Sequence, residues 1–192
     1  MTAMHPSAHD EDITRLLRQA RDGEREAWAH LLQCTYGDLK RLAHRMLSRD
    51  ASAPTLNTTG LLNEWYLRFS HAEGVPESRR HFFALSAKIM RQVMCSYARE
   101  RLAIKRGGEW QRVDLGELDA RADAESLGFV ALDQALDALA AENEALVRVV
   151  ECRFFAGMSE VETAEAVGVS LRSVQRLWFQ ARAQLAQLLE PR

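Results

Sequence analysis

The C-terminal stretch Ser159–Leu189 contains polar side chains suited to hydrogen bonding with the edges of nucleic-acid bases. An arginine can pair with guanine through two hydrogen bonds, and a glutamine can pair with adenine. The chain carries these residue types within a few positions of each other: Ser170, Arg172, Ser173, Gln175 and Arg176. If they share the exposed N-terminal end of one helix, they can enter the major groove together. The pattern therefore predicts a DNA-reading surface.

The residues around this group predict the helix-turn-helix that would position it. Ala164 is small where two helices must cross closely, and Gly168 suits a tight turn that needs a positive φ angle. Ser170 can cap the second helix, and Val174 and Leu177 then fall on its inner face. A plain surface hairpin of helices would explain the apolar spacing. It would not explain this order of residue types, or the absence of acids from Ser170 to Leu189.

Charge is distributed in two opposite blocks, although the net charge is only −2. Between Arg79 and Arg106, eight lysines and arginines accompany a single acid, Glu100. Between Glu109 and Glu144, ten acids accompany two arginines. The residues of the basic block that we expect to hold phosphates are Arg79, Arg80, Lys88, Arg91, Arg99 and Arg101. A solvated helix face is the alternative, but so large an excess of one sign suits a polyanion better.

Composition and periodicity predict an all-α protein. Proline and glycine are few (4 and 10 of 192 residues), and apolar residues recur at helical spacing with no strand alternation. We divide the chain into a disordered tail (1–10), a helical unit (11–106), an acidic linker (107–127) and a second helical unit (128–190). The predicted helices are Asp12–Arg21, Glu24–Leu47, a third capped by Thr59 or Thr58, Arg79–Lys105, Phe129–Ala140 and Asn143–Phe155, before the helix-turn-helix.

Several classes of protein are disfavoured by the sequence. No phosphate-cradling glycine loop or nucleophile elbow is present, so we expect neither an enzyme nor a cofactor. The histidines lack metal-ligand spacing. The three cysteines, Cys34, Cys95 and Cys152, are far apart, so we expect no zinc site and a reducing cytoplasm. No apolar run is long enough to span a membrane.

Three stretches in this order resemble the extracytoplasmic-function (ECF) sigma factors, which keep sigma regions two and four. Leu56–Phe69 is similar to the helix of region two that binds the polymerase clamp. His81–Gly108 is similar to the promoter-melting helix, and the C-terminal helix-turn-helix is similar to region four. The amino-acid sequences of the first two stretches resemble those of an ECF subgroup that is associated with serine/threonine kinases.

The resemblance implies the partners and the roles of these elements. Region two would bind core RNA polymerase at the β′ coiled coil through Asn63, Glu64 and Arg68, and the polymerase β flap would be a further contact. Region two would also open the downstream promoter element, and region four would read the upstream one. The loop His71–Ser78 corresponds to the loop that captures a flipped base, and the acidic linker would thread into a polymerase channel. Of Phe82 and Phe83, we expect one in the core.

The clamp-binding stretch departs from the family pattern in its first turn. Many relatives carry aspartates or glutamates there, whereas this chain reads Asn57-Thr58-Thr59-Gly60, with no carboxylate before Glu64. We therefore predict that a serine/threonine kinase phosphorylates Thr59, or next Thr58, and so supplies the charge. The alternative is that a threonine here simply caps the helix, a common role of threonine that requires no phosphorylation.

Two other readings of the chain stay open. A stand-alone, dimeric helix-turn-helix regulator with a helical sensor unit would bind symmetric DNA sites tightly without polymerase. An adaptor protein with a vestigial DNA motif is the third class.

Overall fold

The computed structural model describes residues 8–22, 24–49, 56–71, 76–107 and 116–190, and these are all-α, as the sequence predicts. The predicted tail is helical from Ala8. Its first seven residues lie outside the described part, as do 50–55 and 72–75 of the two predicted loops. The helices are α1 (Ala8–Arg21), α2 (Arg25–Arg49), α3 (Thr58–Ser70), α4 (Arg79–Gly107), α5 (Gly116–Glu142), α6 (Glu144–Val150) with a π-helical turn (Glu151–Phe155), α7 (Glu160–Val167) and α8 (Leu171–Leu189).

An aromatic cluster holds α3 and α4 together within the first unit, α1–α4. Phe69 lies 5.0 Å from Trp65 and 5.4 Å from Phe82 between ring centroids, and Trp28 of α2 approaches its edge. Phe82 is fully buried and Phe83 is half-buried, which confirms that one of this pair belongs to the core. Because large aromatic rings interlock in this way, α3 and α4 present their polar faces in a fixed relation.

Helix α3 begins one or two residues earlier than a cap at Thr58 or Thr59 predicts, because Asn57 is its N-cap. The Oδ1 atom of Asn57 accepts a hydrogen bond of 2.8 Å from the backbone N–H of Gly60. The prediction that Thr59 or Thr58 caps this helix is wrong. Asparagine caps at least as well as threonine, and it stands first along the chain. Both threonines therefore lie within the first turn, Thr59 exposed and Thr58 half-buried.

Helix α5 starts inside the segment that we predicted to be a linker. Its first residue is Gly116, whereas the sequence predicted a start at Phe129. Residues 116–127 show no clean apolar period, but they are rich in alanine, leucine and glutamate, which favour helix without tertiary contacts. Of the predicted linker, residues 108–115 lie outside the described part.

A π-helical turn follows α6 and changes which phenylalanine is buried. An ordinary α-helical repeat would place Phe154, four residues after Val150, on the same inner face, but Phe154 is 45% exposed and Phe155 is 6% exposed. A π turn adds a residue to the helical repeat, so the inward position moves by one. The same turn buries Glu151 and Cys152.

The two helical units pack against each other along α4. Helices α5 and α7 and the π turn all contact it. The Nη2 atom of Arg45 on α2 also donates a 3.1 Å hydrogen bond to the carbonyl of Ala156. Buried apolar side chains of both units form one continuous cluster. The basic helix is therefore the central element of this arrangement.

Candidate nucleic-acid interface

The turn between α7 and α8 has the geometry that the sequence predicts. Gly168 adopts φ +74°, in the left-handed region that favours glycine, and its N–H donates to the carbonyl of Ala164. Ser170 caps α8, because its Oγ accepts a 3.2 Å hydrogen bond from the N–H of Ser173. Val174 and Leu177 are buried on the inner face, as predicted. The helix-turn-helix is therefore confirmed as a structural unit.

The five predicted base-reading residues lie at the start of α8 but differ in accessibility. Arg172 and Arg176 are exposed on one face, four positions apart. Gln175 is exposed as well, and its Nε2 donates a 2.9 Å hydrogen bond to Glu160 of α7. Ser173 is half-buried, and its hydroxyl contacts that of Ser170. The two arginines are therefore the most accessible of the five for a base edge.

A reciprocal pair of hydrogen bonds fixes the start of α7. The Oγ of Ser159 accepts from the N–H of Glu162, and the N–H of Ser159 donates to the Glu162 carboxylate at 2.8 Å. This arrangement satisfies two amides that the helix itself cannot satisfy. The hydrogen bond from the Ser159 backbone, with help from Arg80 and Arg79, holds the pKa of Glu162 below its usual value.

We expect Ser159→Ala to lower the free energy of unfolding by about 1 kcal/mol, because the capping oxygen is lost. Urea denaturation measures this change.

In Glu162→Gln, by contrast, the loss in free energy of unfolding should depend on pH. A carboxyl whose folded pKa is depressed stabilises the protein above its ordinary pKa of 4.5, and this is lost as pH falls. A Glu162→Gln deficit that stays constant from pH 7 to pH 3 would contradict the assignment.

The basic block on α4 does not present an open row of cations. Arg79 donates to Asp38 at 2.9 Å and its guanidinium lies 4.8 Å from the centre of the Phe83 ring. Arg91 is only 4% exposed, which is not what we expected of a phosphate-binding residue. Lys88 and Arg101 are half-buried. In this conformation, therefore, the expected phosphate-binding face is largely covered.

Acidic residues of the second unit pair with several of the expected phosphate-binding residues of α4. Asp133 and Glu151 are both buried beside Arg91. The ion pairs that join α4 to the second unit are Arg80–Glu165, Arg91–Asp133, Arg91–Glu151 and Arg99–Asp133. Sequence reasoning identified the basic block but not these partners, because pairing depends on the tertiary packing: Asp133 belongs to the acidic block, whereas Glu151 and Glu165 lie beyond it.

The polar face of α3 is only partly as predicted. Asn63 is exposed and Glu64 is half-buried, whereas the Nη2 of Arg68 donates a 3.1 Å hydrogen bond to Ser96 on α4. The spacing of Leu61, Leu62, Trp65 and Tyr66 predicts a single core stripe, but Tyr66 is 49% exposed, and the neighbouring Leu67 is 54% exposed. Sequence reasoning missed these two because the apolar stripe of α3 is wider than its buried face. The exposed face of α3 is therefore both polar and apolar.

Comparison with protein families decides between the readings of these elements. The family model described as ECF sigma factor matches residues 10–190, which is nearly the whole chain. The chain belongs to the ECF sigma factor family. A search of curated proteins found no match. ECF sigma factors bind core RNA polymerase and promoter DNA. The all-helical fold agrees with their helical regions two and four, and we interpret α1–α4 as region two and α5–α8 as region four.

Metal-ligand geometry and cysteine reactivity are two further properties of the described part of this sigma factor. No group of three or more histidine, cysteine, aspartate or glutamate side chains is arranged to hold a metal ion there. Burial raises the pKa of the Cys152 thiol to about 12 and that of Cys95 well above its ordinary range. Since the thiolate is the reactive form, these two cysteines are poor nucleophiles. No described helix is long and apolar enough to cross a membrane.

Proposed function

We propose that this ECF sigma factor reads its upstream promoter element through Arg172 and Arg176, and contacts the downstream element through the basic residues of α4. The observation that carries the first assignment is the exposure of both arginines at the N-terminal end of α8, in a helix-turn-helix with correct caps. Gln175, Ser173 and Ser170 flank them and complete the proposed reading surface. The proposed phosphate-binding residues of α4 are Arg79, Arg80, Lys88, Arg91, Arg99 and Arg101.

The test is binding of the purified protein, with and without a phosphate on Thr59, to core RNA polymerase, followed by in vitro transcription. Templates would be genomic fragments that the reconstituted holoenzyme selects. We expect weak DNA binding by the sigma factor alone and selective initiation by the holoenzyme. A stand-alone dimeric regulator would instead bind symmetric DNA sites tightly without polymerase, and that result would overturn the proposal.

Changing Arg172 or Arg176 to alanine is expected to cost about 1–3 kcal/mol in promoter binding and to relax specificity at one base pair each. The loss follows because a bidentate arginine–guanine contact is removed. Selection of promoters from a randomised library by each variant holoenzyme measures both quantities. Arg182, on the same helix beyond the proposed reading surface, is the control. Unchanged selectivity in both variants would remove these arginines from base readout.

We further propose that α3 binds the β′ coiled coil through Asn63 and Glu64, and that a serine/threonine kinase controls this contact. Arg68 is the weaker candidate, because it already bonds to Ser96. No acid lies in the first turn of α3, and Thr59 is exposed there. Phosphorylation of Thr59, or next of Thr58, would therefore supply a negative charge where the chain has none.

A further inference from the structure

Half of the residues proposed to hold promoter phosphates are already paired with carboxylates of the region-four unit. They are Arg80, Arg91 and Arg99, and their partners Asp133, Glu151 and Glu165 come from α5, the π turn and α7 respectively. Three separate elements therefore present acids to one helix. We call Asp133, Glu151 and Glu165 the acidic contact face.

The acidic contact face and DNA phosphates require the same atoms. The Nη2 of Arg99 lies 2.7 Å from Asp133, and both terminal nitrogens of Arg91 contact carboxylates. While the pairs persist, the carboxylates already neutralise these guanidinium groups, so a phosphate would gain little charge attraction from them. With Arg91 only 4% exposed, a phosphate cannot reach it unless α5 and the π turn move away.

We propose that the free protein is closed upon itself, with the acidic contact face occupying the phosphate-binding positions of α4, and that holoenzyme assembly on promoter DNA separates the two units. The proposal rests on the assignment of α4 to promoter phosphates made above. Arg172 and Arg176 remain exposed in the closed state. In the closed state, α4 is therefore unavailable to DNA phosphates, whereas α8 remains accessible to DNA.

The ion pairs between α4 and the acidic contact face are weak enough in net energy for the two units to separate. A buried ion pair gains little over its desolvation cost unless every polar atom is satisfied. Here the Nε of Arg91 is buried and has no hydrogen-bond partner among the described residues. Burial also raises the pKa of Glu151 although Arg91 lies beside it, so its charged form is held at a cost. Phosphates of DNA can therefore compete effectively for these arginines.

The cysteines give a direct measure of closure. Cys152 lies in the π turn that packs on α4, and Cys95 lies on α4 beside Asp133. Both are buried. Cys34 is exposed on α2 and provides an internal reference. Alkylation rates of each cysteine, followed by mass spectrometry of peptides, would report separation of the units without any polymerase.

The first test compares Asp133→Asn with Asp137→Asn. Both lie on α5 and lose one charge, but Asp133 is buried at the contact whereas Asp137 is exposed. We expect Asp133→Asn to speed alkylation of Cys152 roughly tenfold relative to Asp137→Asn, because removing one partner of a buried pair disfavours the packed state. The affinity of Asp133→Asn for a mixed-sequence DNA duplex should rise. The slope of log K against log salt concentration should become steeper by about one to two, since each freed arginine adds a phosphate contact.

Glu165→Gln provides a second variant that leaves the core intact, because the Glu165 side chain is half-exposed and pairs with Arg80 at the contact. Here Cys95, remote from the substitution, gives the readout, and we expect it to react faster than in Asp137→Asn. Equal alkylation rates and equal DNA binding in all three variants would overturn the proposal, while leaving core binding by the wild type intact. If instead the variants open but neither the unmodified nor the Thr59-phosphorylated wild type binds core polymerase, the proposed function fails and the closed state stands.

Discussion

Arg91→Ala is expected to lower the free energy of unfolding by about 3–5 kcal/mol, a large share of the stability of a small protein. The substitution leaves Asp133 and Glu151 buried without the cation that lies between them. Asp133 keeps its pair with Arg99, but Glu151 loses its ion-pair partner and must become protonated, become hydrated or move outward. Urea denaturation of the full chain measures the loss.

Arg99→Ala is the matched control for this prediction. Arg99 pairs with the same Asp133, but its side chain is 50% exposed, so we expect a loss of less than about 1 kcal/mol. A triple change to apolar residues, Arg91→Met with Asp133→Leu and Glu151→Leu, should recover most of the stability, because no charge then remains buried. Equal losses for Arg91→Ala and Arg99→Ala would contradict the burial of Arg91.

Phosphorylation of Thr59 is expected to tighten binding to core RNA polymerase by roughly 10- to 150-fold, the equivalent of about 1.5–3 kcal/mol for one charge-assisted contact. A phosphate adds about −1.5 to −2 charges and three strong acceptors. Thr59 lies in the first turn of α3, where free amides and the helix dipole favour an anion. The phosphate could then pair with arginines on the partner. Affinity of the unmodified and phosphorylated proteins for core polymerase measures the effect.

Alanine variants of both threonines complete this experiment. Thr59→Ala should abolish the gain from kinase treatment, and Thr58→Ala should retain it if Thr59 is the acceptor. Since Asn57 provides the cap, neither change should shorten α3, which circular dichroism would verify. An aspartate at this position carries a smaller charge on a shorter arm, so its failure would not be decisive. Full core binding by the unmodified wild type, matched by both alanine variants, would contradict the switch.

The parts of the fold governed by local chemistry could be predicted from the sequence. Gly168 and Ser170 determine the turn and the cap of the helix-turn-helix through their own backbone and hydroxyl, so their roles follow from residue type and order. The apolar spacing of α1 and α2 likewise predicts which side chains are buried, as for Ile13 and Leu31. The family model confirms the membership that these motifs indicated.

What could not be predicted depends on residues distant in sequence or on small differences between competing local states. Arg91 and Asp133 are 42 positions apart, and nothing local to either indicates that they meet. Asn57 competes with Thr58 and Thr59 for one cap, and periodicity does not decide among them. The helix at 116–127 forms without an apolar stripe. In each case the sequence identified the residues but not the arrangement that packing favours.

The π turn has a geometric consequence for the DNA-binding end of the molecule. One residue more or less in a helix rotates everything after it by about 100° and shifts it by about 1.5 Å. Were Glu151–Phe155 to wind as an ordinary α-helix, Gly157 and the segments beyond it would leave α6 in a different direction. A single additional backbone unit thus contributes to the orientation of α8 relative to α4, together with the packing of α7 on α4. Loss of one codon in this short stretch would re-aim the reading helix while leaving every one of its own side chains unchanged.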